Sequence, residues 1–167
     1  ATSFGPGSTE VVEAVNFNDP IQSVIAGTKA GVDKACELLK AAGAKRALPL
    51  PVSAPFHSSL MKPAAEKLRM ALADVVLAVP QIPVLNNVDV AVQQDADAIR
   101  DALYRQAFGA VRWVECVQAL KGRGITHIIE CGPGKVLAGL TKRIDPELVG
   151  AALFDPATLA ETRELLA

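Results

Sequence analysis

Histidine and cysteine are scarce in this chain, which has two of the former and three of the latter among 167 residues. The cysteines are odd in number, widely separated and form no CxxC pair, so the sequence has neither the spacing of a zinc site nor that of a disulfide framework. Cys36, Cys116 and Cys131 lie in apolar contexts. We therefore predict that all three are reduced and packed.

An excess of either charge is also missing. Lys and Arg total 17 against 18 Asp and Glu, which gives no overall attraction to nucleic acid or anionic lipid. No apolar run approaches the roughly 18 residues of a membrane span, and the first ten residues lack a basic region followed by an apolar one. We expect a cytoplasmic protein that binds neither nucleic acid nor membrane. Because residue 1 is Ala rather than Met, we also expect that the chain begins inside a longer protein.

Apolar sequence is plentiful, at 50% of residues, which suffices for a core of one domain. Residues 11–17 and 21–27 are β-branched runs separated by Asn18, Asp19 and Pro20, a pattern that predicts an antiparallel hairpin. Residues 28–43 have helical periodicity, and residues 45–50 predict a further strand. This β-β-α-β order predicts a small, incomplete ferredoxin-like α+β subdomain over residues 1–54.

The remainder, residues 55–167, alternates helices and strands, which predicts an α/β body with a mainly parallel sheet flanked by helices. One helix is predicted to be capped by Ser58 or Ser59 and to run to about Asp74, with Pro63 in its first turn. A second helix is predicted to begin at Asp95 or Asp97 and to run through Gln106 until Gly109 breaks it. Further helices are predicted over 112–124 and 135–144, and a last one after Asp155. The predicted strands are 75–80, 82–90, 126–131 and 149–154.

A glycine-rich turn, Gly132–Gly134, precedes Lys135 between a predicted strand and a helix, where a phosphate can bind. It departs from the Walker pattern, since Ile129 replaces the first Gly and Val136 replaces the Ser or Thr that binds magnesium. We favour a tight turn whose glycines allow close packing. His127 lies inside the strand with no carboxylate at ligand spacing, and we interpret it as a core or edge histidine.

His57 differs because it follows Pro55 and Phe56 on a loop and precedes a helix, as does a side chain that a scaffold presents. A general base would need a nucleophile and an acceptor for its other nitrogen. The sequence has no G-x-S-x-G elbow, and Ser53, Ser58 and Ser59 fit loop or cap roles. The residues alone leave two hypotheses open: a catalytic base, or a polar contact where the helix begins.

Several stretches resemble, in order, the malonyl-CoA:acyl carrier protein transacylases of bacterial fatty-acid synthesis. They are VNFNDPIQSVIAG, AAGAKRALPLPVSAPFHSSLMKPAAEKL, PVLNNVDV, DAIRDALYRQ, VRW and ECGPGKVLAGLTKRI. The resemblance runs from about Val11 to the end and covers only the carboxy-terminal part of that family. It implies a partial acyltransferase α/β-hydrolase-like body, malonyl-CoA and acyl carrier protein as partners, and no metal or redox cofactor.

The resemblance also implies roles for particular residues. The family's P-x-H-x-x-L-M segment matches Pro55 to Met61, which makes His57 the general base, oriented by the backbone carbonyl of Gln106. The family's nucleophilic serine on a GHSLG-type elbow, its oxyanion hole and its malonyl-binding arginine have no counterpart in this chain. A complementary amino-terminal segment of the same protein is thus an expected partner. The wall of this half site would be formed around Asn86, Asn87 and the turn at Gly132–Gly134.

Two other hypotheses belong to different classes: a noncatalytic module that docks acyl carrier protein or acyl-CoA, and a stand-alone structural domain. The isolated chain is expected to have negligible turnover, since a base without its nucleophile accelerates nothing. Asn16 and Asn18 are candidates to face the same cleft, although Asn18 fits a turn. Seven basic residues form either a rim for acidic acyl carrier protein or ordinary solvated surface: Lys45, Arg46, Lys62, Arg112, Lys135, Lys142 and Arg143.

Overall fold

The structure, a computed structural model, describes residues 9–167. Helices and strands alternate along much of this range, and the α/β class is confirmed. The strands are β1 (Val12–Asp19), β2 (Gln22–Gly27), β3 (His127–Cys131) and β4 (Val149–Leu153). The helices are α1 (Lys29–Ala41), α2 (Lys62–Ala73), α3 (Ala96–Gln106), α4 (Trp113–Gly122), α5 (Val136–Ile144) and α6 (Pro156–Leu165), with a 3₁₀ turn at Ser59–Met61 before α2.

The described chain packs as two compact units. The first comprises the described residues up to Phe17 together with Ser23–Arg112, and the second comprises Asn18–Gln22 and Trp113–Ala167. The predicted domain boundary between residues 54 and 55 falls inside the first unit and stays a prediction.

The predicted hairpin is confirmed as β1 and β2, joined by Pro20 and Ile21. The side chain of Asp19 accepts a hydrogen bond from the backbone N–H of Ile21 at 2.9 Å, which fixes the turn. The helix that follows, α1, ends two residues before Gly43, whose φ of +94° is a conformation that glycine adopts without steric cost.

Small residues bring α2 and α3 together in the first unit. Ala65 of α2 and Ala102 of α3 are buried, and the two helices pack against each other. A hydrogen bond of 2.6 Å from the hydroxyl of Tyr104 to a carboxylate oxygen of Glu66 joins them at the surface. The predicted start of α3 is confirmed, since Asp95 accepts from the backbone N–H of Ala98 at 2.8 Å.

Three predicted strands, at 45–50, 75–80 and 82–90, are wrong. These segments are extended or irregular, and within residues 9–167 their backbones form no ladder apart from one isolated bridge between Leu85 and Val92. β-Branched residues between prolines favour an extended chain, but a strand also needs a neighbour that takes its backbone hydrogen bonds. The β-β-α-β order therefore stops after α1 in the described residues.

The second unit is built on a parallel pair, β3 and β4, in register from His127 opposite Val149 to Cys131 opposite Leu153. Helix α5 connects the two strands and packs against both, and α6 packs against β4. Both strands were predicted, and the parallel arrangement is confirmed for this pair. The predicted capping of α6 is also confirmed, because Asp155 and Thr158 form a reciprocal capping box.

The three cysteines are free thiols in different environments. Cys116 is buried and Cys36 is half-buried, whereas Cys131 is exposed. The prediction that Cys131 is packed is wrong, because it is the last residue of β3 and lies where the strand leaves the sheet. No helix within residues 9–167 is long and apolar enough to cross a bilayer.

Candidate active site

His57 and Gln106, the two predicted site residues, lie in direct contact although 49 residues separate them in sequence. The Nδ1 atom of His57 is 3.0 Å from the backbone carbonyl oxygen of Gln106. Gln106 is the last residue of α3. The carbonyl groups at a helix C-terminus have no N–H donor within the helix and are free to accept from other groups. A carbonyl can only accept, so Nδ1 carries a proton and Nε2 presents its lone pair in the neutral ring.

The imidazole of His57 is neither entombed nor fully exposed. The residue is half-buried, and no described residue forms a hydrogen bond with Nε2. One edge of the ring is thus fixed by the main chain, while the nitrogen that can accept a proton has no intramolecular partner among residues 9–167.

The backbone of His57 is in the left-handed region, with φ at +62°. Histidine is one of the few non-glycine residues enriched there, yet the conformation still costs about 1–2 kcal/mol. Such a conformation persists where the surroundings over-determine it. The residues on either side of His57 supply those constraints.

Ser58 and Ser59 hold this loop, and the prediction that one of them caps α2 is wrong. The hydroxyl of buried Ser58 donates to the carbonyl of Pro55 at 2.6 Å. Ser59 donates twice to the carboxylate of Glu13 on β1, from its backbone N–H at 2.7 Å and from its hydroxyl at 2.6 Å. Helix α2 begins only after the 3₁₀ turn, with Pro63 in its first turn as predicted.

Ion pairs fix the end of α3 that carries the Gln106 carbonyl. Arg105 donates to both carboxylate oxygens of Asp89, at 2.5 and 2.8 Å, and to Asp101 at 2.6 Å. The hydrogen bonds from Arg105 hold the pKa of Asp89 below its ordinary range, and the two carboxylates raise the pKa of Arg105. Asp89 and Arg105 are therefore both charged at neutral pH.

The turn after α3 packs directly on the helix end. The Gln106 side chain donates to the carbonyl of Gly109 at 3.3 Å. A Cβ on Gly109 would lie 2.7 Å from the carbonyl oxygen of Arg105 and 2.7 Å from Val88 Cγ2. Only glycine allows the chain to pass this close to α3.

The segment beyond this turn pairs with β1 next to half-buried Asn16. Val111 donates to the carbonyl of Val15 at 2.8 Å, and Phe17 donates to the carbonyl of Val111 at 2.9 Å. A short parallel bridge thus joins β1 to the chain that leaves α3.

Asn86 and Asn87, predicted for the site wall, shape a loop in the same unit. The Asn86 side chain accepts from Asp89 N–H at 2.8 Å and donates to the carbonyl of Ala91 at 2.9 Å. The carbonyl of Asn87 accepts from Arg112 N–H at 3.3 Å. Asn86 therefore orders the loop that presents Asp89 to Arg105; a role in lining the site stays a prediction.

In the second unit, the turn at Gly132–Gly134 leads from β3 into α5 as predicted. Glu130 accepts from Ala138 N–H at 2.9 Å, so a carboxylate of the chain itself occupies the N-terminus of α5, where a phosphate would bind. This contact favours the tight-turn interpretation. Nearby, the Nδ1 atom of His127 is 2.8 Å from the hydroxyl of Thr126, which gives this histidine a local partner.

Sequence reasoning missed Glu13, Glu130 and Asp89. Glu130 carried no helix-cap signal, because it lies inside β3, six residues before α5 begins at Val136. Glu13 and Asp89 had no local signal, because their partners Ser59 and Arg105 lie 46 and 16 residues away.

No family model matches the chain. Individual relatives do. The malonyl CoA-acyl carrier protein transacylase of Salmonella typhimurium is 55% identical over 151 residues, which are 90% of this chain and 49% of the relative. The malonyl CoA-acyl carrier protein transacylase of Escherichia coli is 53% identical over 156 residues, which are 93% of this chain and 50% of the relative.

Solved structures agree. An acyl-carrier-protein S-malonyltransferase from Burkholderia pseudomallei matches with a TM-score of 0.91 at 69% identity, covering 93% of this chain and 51% of that one. A malonyl-transacylase in complex with its type II PKS acyl-carrier protein matches with a TM-score of 0.91 at 52% identity, covering 93% and 50%.

The chain is thus similar, over nine-tenths of its length, to malonyl-CoA:acyl carrier protein transacylases. The resemblance predicted from the sequence is confirmed by these relatives. The chain spans about half the length of the transacylases it matches. Within the part of the chain that the structure describes, no three His, Cys, Asp or Glu side chains lie together as a metal site would require.

Some of the basic residues considered as a docking rim have partners within their own compact unit. Arg143 lies 3.3 Å from a carboxylate oxygen of buried Asp19. Lys135 lies over the ring of Phe154 at 4.9 Å. These contacts favour structural roles for both cations.

Proposed function

We propose that this chain supplies the general-base half of an active site that moves a malonyl group from coenzyme A to acyl carrier protein in fatty-acid biosynthesis. The observation that carries the proposal is the hydrogen bond of 3.0 Å between His57 Nδ1 and the Gln106 carbonyl. It leaves Nε2 of a half-buried ring as the proton acceptor. The nucleophile is a serine outside this chain.

In the first half-reaction, Nε2 of His57 takes the serine proton as the hydroxyl oxygen attacks the malonyl thioester carbonyl. The tetrahedral intermediate then breaks its C–S bond, and the imidazolium protonates the departing coenzyme A sulfur. In the second half-reaction, His57 takes the proton of the phosphopantetheine thiol, whose sulfur attacks the malonyl-serine ester. The serine leaves with the proton, and the ring returns to its neutral form.

The Gln106 carbonyl takes the place that a carboxylate has in a Ser-His-Asp arrangement. It selects the Nδ1–H tautomer and fixes the ring plane without adding a full negative charge. It also lies at the C-terminal end of α3, whose dipole stabilises positive charge that develops on the ring during proton transfer.

We further propose that a complementary amino-terminal segment completes the site. Two extended segments of this chain, 48–56 and 75–84, carry large exposed apolar side chains, among them Val76 at 95% and Ile82 at 79% exposure. Large apolar side chains exposed in such number are typical of a surface that another segment covers. Strands of the complementary amino-terminal segment would supply the ladder hydrogen bonds that residues 45–50 and 75–84 do not make within residues 9–167.

This completed protein would have the finer architecture that the family resemblance implies. Residues 1–54 would complete a ferredoxin-like subdomain, and residues 55–167 would complete an α/β-hydrolase-like acyltransferase body with a mainly parallel sheet. Malonyl-CoA and acyl carrier protein would be its substrates, without a metal or redox cofactor, in the cytoplasm. The acyl carrier protein complex formed by a relative of 52% identity supports this partner.

The test is the intact mass of the natural protein that contains this chain, before and after malonyl-CoA is added. We expect a gain of one malonyl group, which is lost again when acyl carrier protein is added. In the His57→Ala variant, the rate of acylation should fall by about 100- to 10,000-fold, the usual contribution of a general base. Binding of acyl carrier protein without any acylation would instead establish the noncatalytic docking module.

The complementary segment is tested separately by mixing this chain with the amino-terminal half of the Escherichia coli transacylase. We expect the two to elute as one complex in size-exclusion chromatography. Lysine at Val76 and Ile82 should abolish the complex. Lysine at Ile21, which is 96% exposed at the hairpin turn, is the matched control and should leave it intact; equal loss in both variants would contradict the proposal.

A further inference from the structure

We infer that Glu13 is a positioning residue for His57. The inference goes beyond the proposed function by naming this residue, and its catalytic consequence rests on the proposed function. Glu13 does not contact His57. Glu13 accepts two hydrogen bonds from Ser59, which lies two residues after His57. One comes from the backbone N–H at 2.7 Å and the other from the hydroxyl at 2.6 Å.

The two bonds constrain the loop at the point where constraint is needed. His57 has a φ of +62°, a left-handed backbone conformation that costs free energy in any residue with a Cβ. A carboxylate that accepts from both a backbone N–H and a hydroxyl of one residue fixes that residue in position and in rotamer. The strained backbone is thereby held on the Ser59 side by Glu13 and on the Pro55 side by the hydroxyl of Ser58.

Glu13 also belongs to a closed circuit of contacts that includes the imidazole of His57. Glu13 accepts a hydrogen bond from Ser59, which is two residues along the backbone from His57, and His57 is hydrogen-bonded to Gln106 at the end of α3. From there the chain leads through the turn at Gly109 to Val111, which donates to Val15 on β1, two residues from Glu13. β1 therefore holds both the loop with the imidazole and the segment after the carbonyl that orients it.

Removing the carboxylate should release the loop while the core stays in place. Glu13 is half-buried and lies between Val12 and Ala14 on β1, whose buried residues Val12 and Val15 face the core. A misplacement of about 1 Å at a catalytic group costs on the order of 100-fold in rate. We therefore expect Glu13→Ala to lower kcat for malonyl transfer by about 10- to 100-fold with KM changed less than about twofold.

The first measurement does not depend on activity. Nitrogen-15 NMR of the His57 ring in the natural protein that contains this chain reports which nitrogen carries the proton. In the unchanged protein we expect the Nδ1–H tautomer, and in Glu13→Ala a mixture of both tautomers with faster exchange of the Nδ1 proton. Glu37→Ala, which removes an exposed carboxylate paired with Lys34 on α1, is the control and should leave the spectrum unchanged.

Two milder variants separate positioning from folding. Ser59→Ala keeps the backbone bond to Glu13 and removes the hydroxyl bond, and Glu13→Gln keeps one acceptor oxygen. Both should produce a smaller tautomer change than Glu13→Ala and a smaller loss of kcat, and the double variant Glu13→Ala/Ser59→Ala should be no worse than Glu13→Ala alone.

An unchanged His57 spectrum in folded Glu13→Ala or Glu13→Gln would overturn the inference. The inference would also be wrong if the loss of activity in Glu13→Gln and Ser59→Ala simply followed the loss of stability of each variant. If the tautomer shifts as expected but neither the unchanged protein nor Glu13→Ala transfers malonyl, the inference holds for the geometry and the proposed function is wrong.

Discussion

Arg105 donates hydrogen bonds to both carboxylate oxygens of Asp89, at 2.5 and 2.8 Å, and the next residue, Gln106, supplies the carbonyl that accepts from His57. A two-pronged charged contact thus lies one residue from the group that orients the imidazole. The same guanidinium reaches Asp101, one turn back along α3. The helix end is therefore held on two sides by charges.

Asp89→Asn should destabilise the protein, because the amide can accept only one of the two hydrogen bonds from Arg105 and carries no charge. The pair is partly exposed, so we expect a loss of only about 1 kcal/mol in the free energy of unfolding after solvent screening. Urea denaturation at neutral pH measures it. Asp101→Asn, at a more exposed partner of the same arginine, should cost less; an equal or larger cost would contradict this ranking.

Asp89 should also contribute to sensitivity to acid. Its pKa is lowered in the folded protein, chiefly by the hydrogen bonds from Arg105. The stabilisation is thus fully present above the ordinary carboxyl pKa of about 3.9 and is lost as the pH falls through the lowered folded value. Between about pH 5 and pH 2 the unfolding free energy of Asp89→Asn should fall less steeply than that of the unchanged protein. Parallel curves would refute this.

His57→Gly and His57→Ala should be equally inactive but differ in stability. Both remove the imidazole, and with it the hydrogen bond to Gln106. Alanine keeps the cost of the left-handed backbone at φ +62°, whereas glycine adopts it freely. We expect the glycine variant to be more stable than the alanine variant by about 1 kcal/mol, measured by urea or thermal denaturation. Equal stability would mean that the loop rearranges in one of them.

Gly109→Ala should disturb the site from outside it. The added methyl group would lie 2.7 Å from the carbonyl oxygen of Arg105, and backbone at a helix end cannot retreat without moving the Gln106 carbonyl. We expect a loss of about 1–3 kcal/mol in stability and a weaker Nδ1–H signal from His57. Gly139→Ala in α5, where a Cβ meets nothing within 4 Å, should instead be neutral or stabilising by up to about 1 kcal/mol.

Glu130→Ala should cost about 1 kcal/mol, because it removes the acceptor for Ala138 N–H in the first turn of α5. Thermal denaturation of the variant measures the loss. Glu164→Ala, on the exposed side of α6, is the matched control and should change stability by less than about 0.5 kcal/mol. Tighter phosphate binding by Glu130→Ala than by the unchanged protein would confirm that the carboxylate fills the anion position.

Local signals in the sequence predicted local structure well. The turn residues around Pro20, the cap at Asp95 and the capping box begun by Asp155 each act over a few residues, so a single sequence contains all the information they need. The parallel strands β3 and β4 were also recognisable from their apolar runs. The pair formed by His57 and Gln106 was predicted only through the family resemblance, because no spacing rule links residues 49 apart.

The errors have a physical cause in each case. Residues 45–50, 75–80 and 82–90 have the composition of strands, yet a strand exists only where a second backbone pairs with it, and composition does not report that partner. Ser58 and Ser59 have the composition of helix caps, but the acceptors that they found, Pro55 and Glu13, lie outside the helix. In the first case a pairing partner that would form a ladder is absent from residues 9–167, and in the second case tertiary contacts overrode a local preference.

The exposure of Cys131 at the end of β3 makes site-selective chemistry possible. Of the three thiols, Cys116 is buried and Cys36 is half-buried, so a maleimide fluorophore should react with Cys131 first. The attached dye would sit immediately before the turn that begins α5, and its emission would follow that turn during binding or denaturation without any engineered mutation.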